Sequence, residues 1–85
     1  MAQQQFLQVV VRSRQGLVFE GQAIAITSEN KNGPFDVLER HANFVTTIQK
    51  RLVIIKPGGG KVVMQVGSGM MHVYKDQVLV FLGVV

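Results

Sequence analysis

Apolar and polar residues alternate in short stretches along most of the chain, and turn-forming residues separate the stretches. Between Gln22 and Ser28, Ile24 and Ile26 fall on one face with only small alanines between them, which is typical of a strand. Turn signals recur about every eight to twelve residues, as expected of a sandwich or barrel. The pattern predicts about nine strands and no helix of three turns. The predicted strands cover residues 6–13, 17–19, 22–28, 35–38, 44–48, 52–55, 61–66, 70–74 and 78–82.

The composition supports a sheet and argues against a helical bundle, a coiled coil or a disordered chain. Fifteen of the 85 residues are valine, and β-branched side chains suit a pleated sheet better than a helix. Hydrophobic residues make up 47% and charged residues only 16%, which is too apolar for disorder. The length predicts one domain over residues 1–85. Without cysteine, a signal-peptide profile or a long apolar run, the chain is expected to be cytosolic or to face the cytosol.

The net charge of the chain suggests one hypothesis for its function. Nine basic and five acidic residues give a formal net charge of +4, which fits a free-standing basic β-domain that binds nucleic acid or another anionic partner. The basic residues are spread along the sequence, however, and only Lys50 and Arg51 are adjacent. A single tyrosine and no tryptophan leave few platforms on which bases could stack. Nucleic-acid binding therefore stays an alternative.

Residues that carry catalysis or hold cofactors are sparse. The Gly-Gly-Gly-Lys segment 58–61 is no phosphate loop, because Ile55 stands where its first glycine should be and a predicted strand follows. His41 and His72 are 31 residues apart, which excludes a helical metal-binding pair. A metal site that they share with Asp36 is geometrically compatible with a sandwich, but one loop histidine and one strand histidine are the simpler interpretation. The sequence predicts no enzyme, no cofactor and no metal site.

Two adjacent methionines indicate a surface that contacts a partner. Met70 and Met71 lie on a predicted strand, so their side chains point to opposite faces of the sheet. One is expected to fill the core, and the other faces solvent or a partner, where the adaptable thioether suits an interface. Strand parity puts His72 on the face of Met70 and Val73 on the face of Met71.

Three stretches resemble a known family. They are GLVFEG at residues 16–21, GPFDVLERHANFVT at 33–46 and VGSGMMHV at 66–73, and their order and spacing also fit. Together they are similar to the N-terminal β-sandwich domain of the epsilon subunit of F-type ATP synthase, which is called delta in mitochondria. The resemblance covers the chain from about Phe6 to Leu82.

This resemblance implies an all-β, ten-stranded sandwich at the foot of the central stalk. Such a domain is non-catalytic and needs no cofactor. It packs against the gamma subunit and touches the polar loops of the c-ring, and it couples ion transport to ATP synthesis. The expected location is peripheral, on the cytoplasmic face of the bacterial inner membrane. An apolar face that normally meets gamma also allows self-association of the isolated chain.

The resemblance also implies site residues. We expect His41 to lie at a partner contact or, equally, to be a structural loop histidine. The predicted core comprises Phe19, Ile24, Ile26, Phe35, Val37, Ile54, Val63 and Val80. The c-ring contact is expected at Glu29, Asn30, Lys31, Asn32, Gly33, Pro34 and Asp36, and the gamma contact at Arg40, His41, Ala42, Phe44, Met70 and His72.

The sequence departs from the family pattern at several positions: Glu39 and Arg40 replace the usual Pro-Gly, and Asn43 replaces the usual proline. Pro34 stands where an acidic residue is usual, and Lys31 brings a positive charge to the same segment. The sequence ends at Val85, after the last predicted strand, where most members continue into a C-terminal helical hairpin. The expectation is therefore a chain without a helical domain, which neither inhibits ATP hydrolysis by helix insertion nor binds ATP.

Overall fold

Seven β-strands joined mostly by tight turns make up the part of the chain that the computed structural model describes, residues 6–40 and 43–83. No helix occurs among these residues. His41 and Ala42 lie outside the described residues. The strands are β1 (Leu7–Ser13), β2 (Gly16–Ala23), β3 (Ala25–Asn30), β4 (Gly33–Leu38), β5 (Phe44–Ile55), β6 (Lys61–Tyr74) and β7 (Gln77–Leu82).

The strands are hydrogen-bonded in the order β2-β1-β7-β6-β5-β3-β4, and every pair is antiparallel except β1 with β7. The β5–β6 hairpin belongs to both halves of this sheet. Residues 44–48 of β5 pair with the part of β6 that also pairs with β7, whereas residues 49–55 pair with β3. A β-bulge between Ile48 and Lys50 separates the two halves. Because bulges bend a strand, the sheet folds over itself into the two layers of a β-sandwich.

The two layers enclose one hydrophobic core to which all seven strands contribute. Inward-facing residues alternate with outward-facing ones, as in β1, where Leu7, Val9 and Val11 are buried. Burial of each such side chain contributes about 1.5–3 kcal/mol. The core consists of Leu7, Val9, Val11, Ala23, Ile26, Val37, Ile48, Leu52, Ile54, Val66, Met71, Val73, Val78 and Val80.

The all-β sandwich is the predicted fold class, but the number of strands is lower than the nine to ten expected. Residues 49–51 and 67–69 do not end strands, so each of β5 and β6 replaces two predicted strands. Residues 49–51 read as a turn because they are polar and charged. They are in fact part of a continuous strand whose bulge lies between Ile48 and Lys50, with φ of 71° at Lys50. In the other direction, the predicted strand 22–28 is divided at Ile24, between β2 and β3.

Most of the predicted core is correct, and one residue is wrong. Ile26, Val37, Ile54 and Val80 are buried, and Phe19 and Phe35 pack against the core from its border. Ile24 is half-buried. Val63, by contrast, is 65% exposed, because strand parity turns Val62 and Met64 toward the core and Val63 away from it. The sequence does not reveal this parity, because residues 62–64 are all apolar.

Candidate functional site

The segment predicted to meet the c-ring is a tight hairpin and not a long loop. Only Lys31 and Asn32 form the turn, since Asn30 pairs with Gly33 at the ends of β3 and β4. Gly33 has a φ of 113°, a conformation that favours glycine. The Oδ1 atom of Asn30 accepts a hydrogen bond from the main-chain N of Asn32 (2.8 Å), and its Nδ2 donates to Oγ1 of Thr46 (3.1 Å). Asn30 therefore shapes the turn and fastens it to β5.

Both carboxylates of this hairpin are engaged within the domain. Glu29 Oε2 lies 2.9 Å from Nζ of Lys50, which stands on the β5 bulge. Asp36 Oδ1 accepts a hydrogen bond from Oγ1 of Thr27 (2.6 Å). Lys31 is exposed at the turn, as is Pro34 on β4. The hydroxyl hydrogen bond leaves the charge of Asp36 in place on the exposed side of β4, whereas Lys31 supplies the charge at the turn itself.

Two depressions lie at this end of the domain, one beside the β3–β4 turn and the other beside the β1–β2 turn. Lys31 lines one of about 160 Å³ together with residues 47–49 and 67–69. Arg14 lines another of about 440 Å³ together with Ser13, Gln15 and residues 82–83. The main-chain N of Gly83 donates to the carbonyl oxygen of Ser68 (2.8 Å), so the two depressions adjoin. We call the surface formed by Arg14, Lys31, Lys50 and Arg51 the basic end.

The predicted gamma contacts begin beyond the end of β4 that lies away from the Lys31 turn. Because β4 runs from Gly33 to Leu38 at about 3.3 Å per residue, Arg40 lies roughly 20 Å from the Lys31 turn. The main-chain N of Arg40 donates to Oδ1 of Asp76 (2.7 Å). Close by, the main-chain N of Lys75 donates to Oδ1 of Asn43 (3.0 Å). The β4–β5 connection is thereby fastened to the β6–β7 turn.

Phe44 contributes to packing as well as to the surface. It is half-buried against the core, and its ring meets that of Phe35 edge to face at 6.2 Å between centroids, with an interplanar angle of 80°. Such aromatic pairs contribute about 0.5–1.5 kcal/mol beyond burial. Phe44 therefore holds the start of β5 against β4.

Met70 and His72 lie on the outward side of β6, as predicted, and Met71 and Val73 are buried. Their cross-strand neighbours extend this surface, since Val45 pairs with His72 and Phe81 with Met70. Tyr74 continues it two residues beyond His72, with ring centroids 6.5 Å apart. Val45 is 57% exposed and Tyr74 50%. We call Val45, Met70, His72, Tyr74 and Phe81 the outer apolar face.

Sequence reasoning missed three members of this face. Tyr74 could have been found, because it has the same strand parity as Met70 and His72. Val45 and Phe81 could not be assigned without the registers of β5 and β7 against β6, and a one-residue shift of register would have turned both inward.

The described residues meet the requirements of neither a metal site nor a membrane-spanning helix. Within residues 6–40 and 43–83, no group of three His, Asp or Glu side chains is placed to hold a metal ion. Nor does this part of the chain contain a helix long and apolar enough to cross a membrane.

A β-sandwich with an exposed apolar face and a separate basic end belongs to the class of domains that present surfaces to partners. The model of one family, the ATP synthase delta/epsilon chain beta-sandwich domain, matches residues 6–83, and the chain belongs to this family. No curated protein sequence matches it significantly.

Solved structures contain the same fold. One is a chain of the Euglena gracilis mitochondrial ATP synthase, from a cryo-EM structure of its OSCP/F1/c-ring part in rotational state 1, with a TM-score of 0.84 and 20% identity. Another comes from the central stalk and c-ring of the Tetrahymena thermophila mitochondrial ATP synthase, with a TM-score of 0.72 and 12% identity. The similarity covers 91% and 95% of this chain, but only 50% and 66% of those chains.

Proposed function

We propose that the chain is a non-catalytic rotor subunit in the central stalk of an F-type ATP synthase, where it links the gamma subunit to the c-ring and so couples ion transport to ATP synthesis. The family match over residues 6–83 carries this proposal. The similar fold in chains from two ATP synthase structures, one of them described as central stalk and c-ring, supports it. Rotation needs a domain that transmits torque without deforming, which suits a sandwich with a single closely packed core.

The outer apolar face is the surface that we assign to gamma. Exposed aromatic and methionine side chains are enriched in the cores of protein interfaces, and Met70, Tyr74 and Phe81 supply three of them side by side. Arg40 and Phe44 adjoin this face through the end of β4 and the start of β5. His41 and Ala42, although outside the described residues, are part of the same proposed contact.

The β3–β4 hairpin, from Glu29 to Asp36, is the segment that we assign to the c-ring. Its turn projects about 20 Å from the Arg40 end of the domain, so one molecule has separate surfaces for the two partners. The complex would make the chain peripheral to a membrane. The finer location, the cytoplasmic face of the bacterial inner membrane, belongs to this proposal, and the two structural neighbours are mitochondrial.

Copurification with the gamma subunit of the same organism tests the proposal. We expect a stoichiometric complex, and Met70→Asp should weaken it about tenfold or more because a carboxylate would be buried in the apolar contact. Val63→Asp is the matched control, since Val63 is an exposed apolar residue of β6 outside the outer apolar face. Equal binding of the wild type and Met70→Asp would contradict the assigned surface.

Absence of any gamma complex would contradict the function itself. In that case, binding to nucleic acid that falls steeply with salt, roughly one unit of log–log slope per phosphate contact, would identify the alternative basic β-domain.

A further inference from the structure

We propose that the basic end is a docking surface for acidic protein loops, and that the polar loops of the ring partner carry the complementary carboxylates. This inference rests on the proposed function, which brings the β3–β4 hairpin to the ring. It adds the sign of the charge on the partner and further residues, Arg14, Lys50 and Arg51, that take part.

Folding collects basic residues that are scattered in the sequence. Arg14 is in the β1–β2 turn and Lys31 in the β3–β4 turn, while Lys50 and Arg51 lie at the β5 bulge. The depressions beside Arg14 and Lys31 adjoin at the hydrogen bond between Gly83 and Ser68. Lys50, which Arg51 follows in β5, is joined to the β3–β4 hairpin by its ion pair with Glu29, so the four cations lie at one end of the sandwich.

The charge of this end is high and nearly uncompensated. Four cations and the carboxylate of Glu29 give it a net charge of +3, out of +4 for the whole chain. Glu29 is 17% exposed and is held by Lys50, whose own side chain is 68% exposed. In the described part of the chain, Arg14, Lys31 and Arg51 form no ion pair with a carboxylate.

Two of the cations, Arg14 and Lys31, lie in tight turns that hold their backbone in place. The β1–β2 turn has the same construction as the β3–β4 turn, with Ser13 Oγ accepting from the main-chain N of Gln15 (3.2 Å) and Gly16 at a φ of 123°. Because both turns are preorganised, little backbone entropy is lost when they meet a partner. Cations presented in this way orient a partner and accelerate its association.

The surroundings of the cations favour a protein partner over nucleic acid. Gly, Ser, Thr and Gln side chains and backbone make up most of the lining of both depressions, and these groups can hydrogen-bond to a polypeptide loop. No aromatic residue lines either depression in the described part of the chain, so bases would lack stacking platforms.

Charge reversal with a matched control tests the inference. Arg14→Glu/Lys31→Glu reverses two charges of the basic end. Lys56→Glu/Lys61→Glu changes the net charge equally at the far tip of the β5–β6 hairpin, where both lysines are exposed. Each variant is copurified with gamma, and binding of the complex to detergent-purified c-ring is measured at low and high salt.

We expect the basic-end variant to bind the ring about tenfold more weakly at low salt, and the control to bind within about twofold of the wild type. The difference should shrink at high salt, since exposed charges are screened. Glu29→Gln should strengthen ring binding, because it leaves Lys50 uncompensated. Replacing carboxylates in the ring loops by amides should reproduce the loss.

Three results would overturn the inference. Equal ring binding by both double variants would do so, as would ring loops that contain no Asp or Glu. The third is an unchanged ring affinity of Arg14→Glu/Lys31→Glu together with lost binding to phosphatidylcholine–phosphatidylserine vesicles, which would assign the basic end to lipid. A normal gamma complex in these cases would leave the proposed function intact, whereas failure of the wild type to bind gamma and ring would remove both.

Discussion

Gly69 of β6 lies so close to Phe81 of β7 that a Cβ atom on Gly69 would stand 2.6 Å from the Phe81 carbonyl oxygen. Side-chain atoms of Ile48 are also near, at 3.3 Å from the same position. Real Cβ atoms essentially never approach an oxygen so closely, and the oxygen belongs to the backbone and cannot rotate away. Absence of a side chain at Gly69 is therefore a condition for pairing β6 with β7 beside the bulge.

Gly69→Ala should destabilise the domain by about 1–3 kcal/mol, the usual cost of forcing an extra group into a well-packed site. The measurement is urea unfolding followed by circular dichroism. Gly67→Ala is the control. Nothing lies within 4 Å of its Cβ position, and its effect should stay within about 0.5 kcal/mol. Equal unfolding midpoints of the two variants would disprove the packing argument.

Asp76 should be important for the end of the sandwich that carries the predicted gamma contacts. Its Oδ1 accepts from the main-chain N of Arg40 (2.7 Å), and its own φ is 62°. Asp76→Ala loses the acceptor and puts alanine in a left-handed conformation, so we expect a loss of about 1–3 kcal/mol in thermal or urea unfolding.

Asp76→Asn tests the two causes together, because asparagine tolerates a positive φ and keeps a side-chain acceptor. It should lose less than half as much stability as Asp76→Ala. A loss as large as that of alanine would mean that neither the hydrogen bond to Arg40 nor the backbone conformation accounts for the effect.

Asn30 should determine the shape of the β3–β4 turn. Asn30→Ala removes the hydrogen bonds to Asn32 and Thr46, and at about 0.5–1.5 kcal/mol each the expected loss is roughly 1–3 kcal/mol. Hydrogen exchange of the turn amides should accelerate as well. Asn32→Ala, in the same turn, should change stability by less than about 0.5 kcal/mol, and a reversed order of the two variants would refute this role.

Ser28 is a polar residue that is fully buried in β3, and its Oγ donates to the carbonyl oxygen of Arg51 (2.7 Å). Ser28→Ala should lower the free energy of unfolding by about 1 kcal/mol, since it removes this bond next to the β5 bulge. Thr27→Ala, which removes an exposed hydrogen bond to Asp36, should cost less. Unfolding of both variants under identical conditions compares the two hydrogen bonds.

Local patterns predicted the parts of the molecule that depend on neighbours in sequence. Alternation identified all seven strands in outline, and parity correctly assigned Met70 and His72 to one face and Met71 and Val73 to the other. The polarity of residues 49–51 led to the wrong prediction of a turn between two strands, because a bulge and a turn use similar residues. The prediction that Val63 is a core residue was also wrong, because an unbroken apolar run does not indicate which of its residues point inward.

The sequence by itself determined the all-β class, the family and the side of β6 that each residue occupies, because each depends on residue type and short-range periodicity. Only the tertiary structure decided which distant residues share a surface. Val45 and Phe81 join Met70 through strand register. Arg14, Lys31 and Lys50 lie at one end of the sandwich because folding brings two turns and the β5 bulge to that end. Register and bending result from packing between strands far apart in sequence, which no local pattern contains.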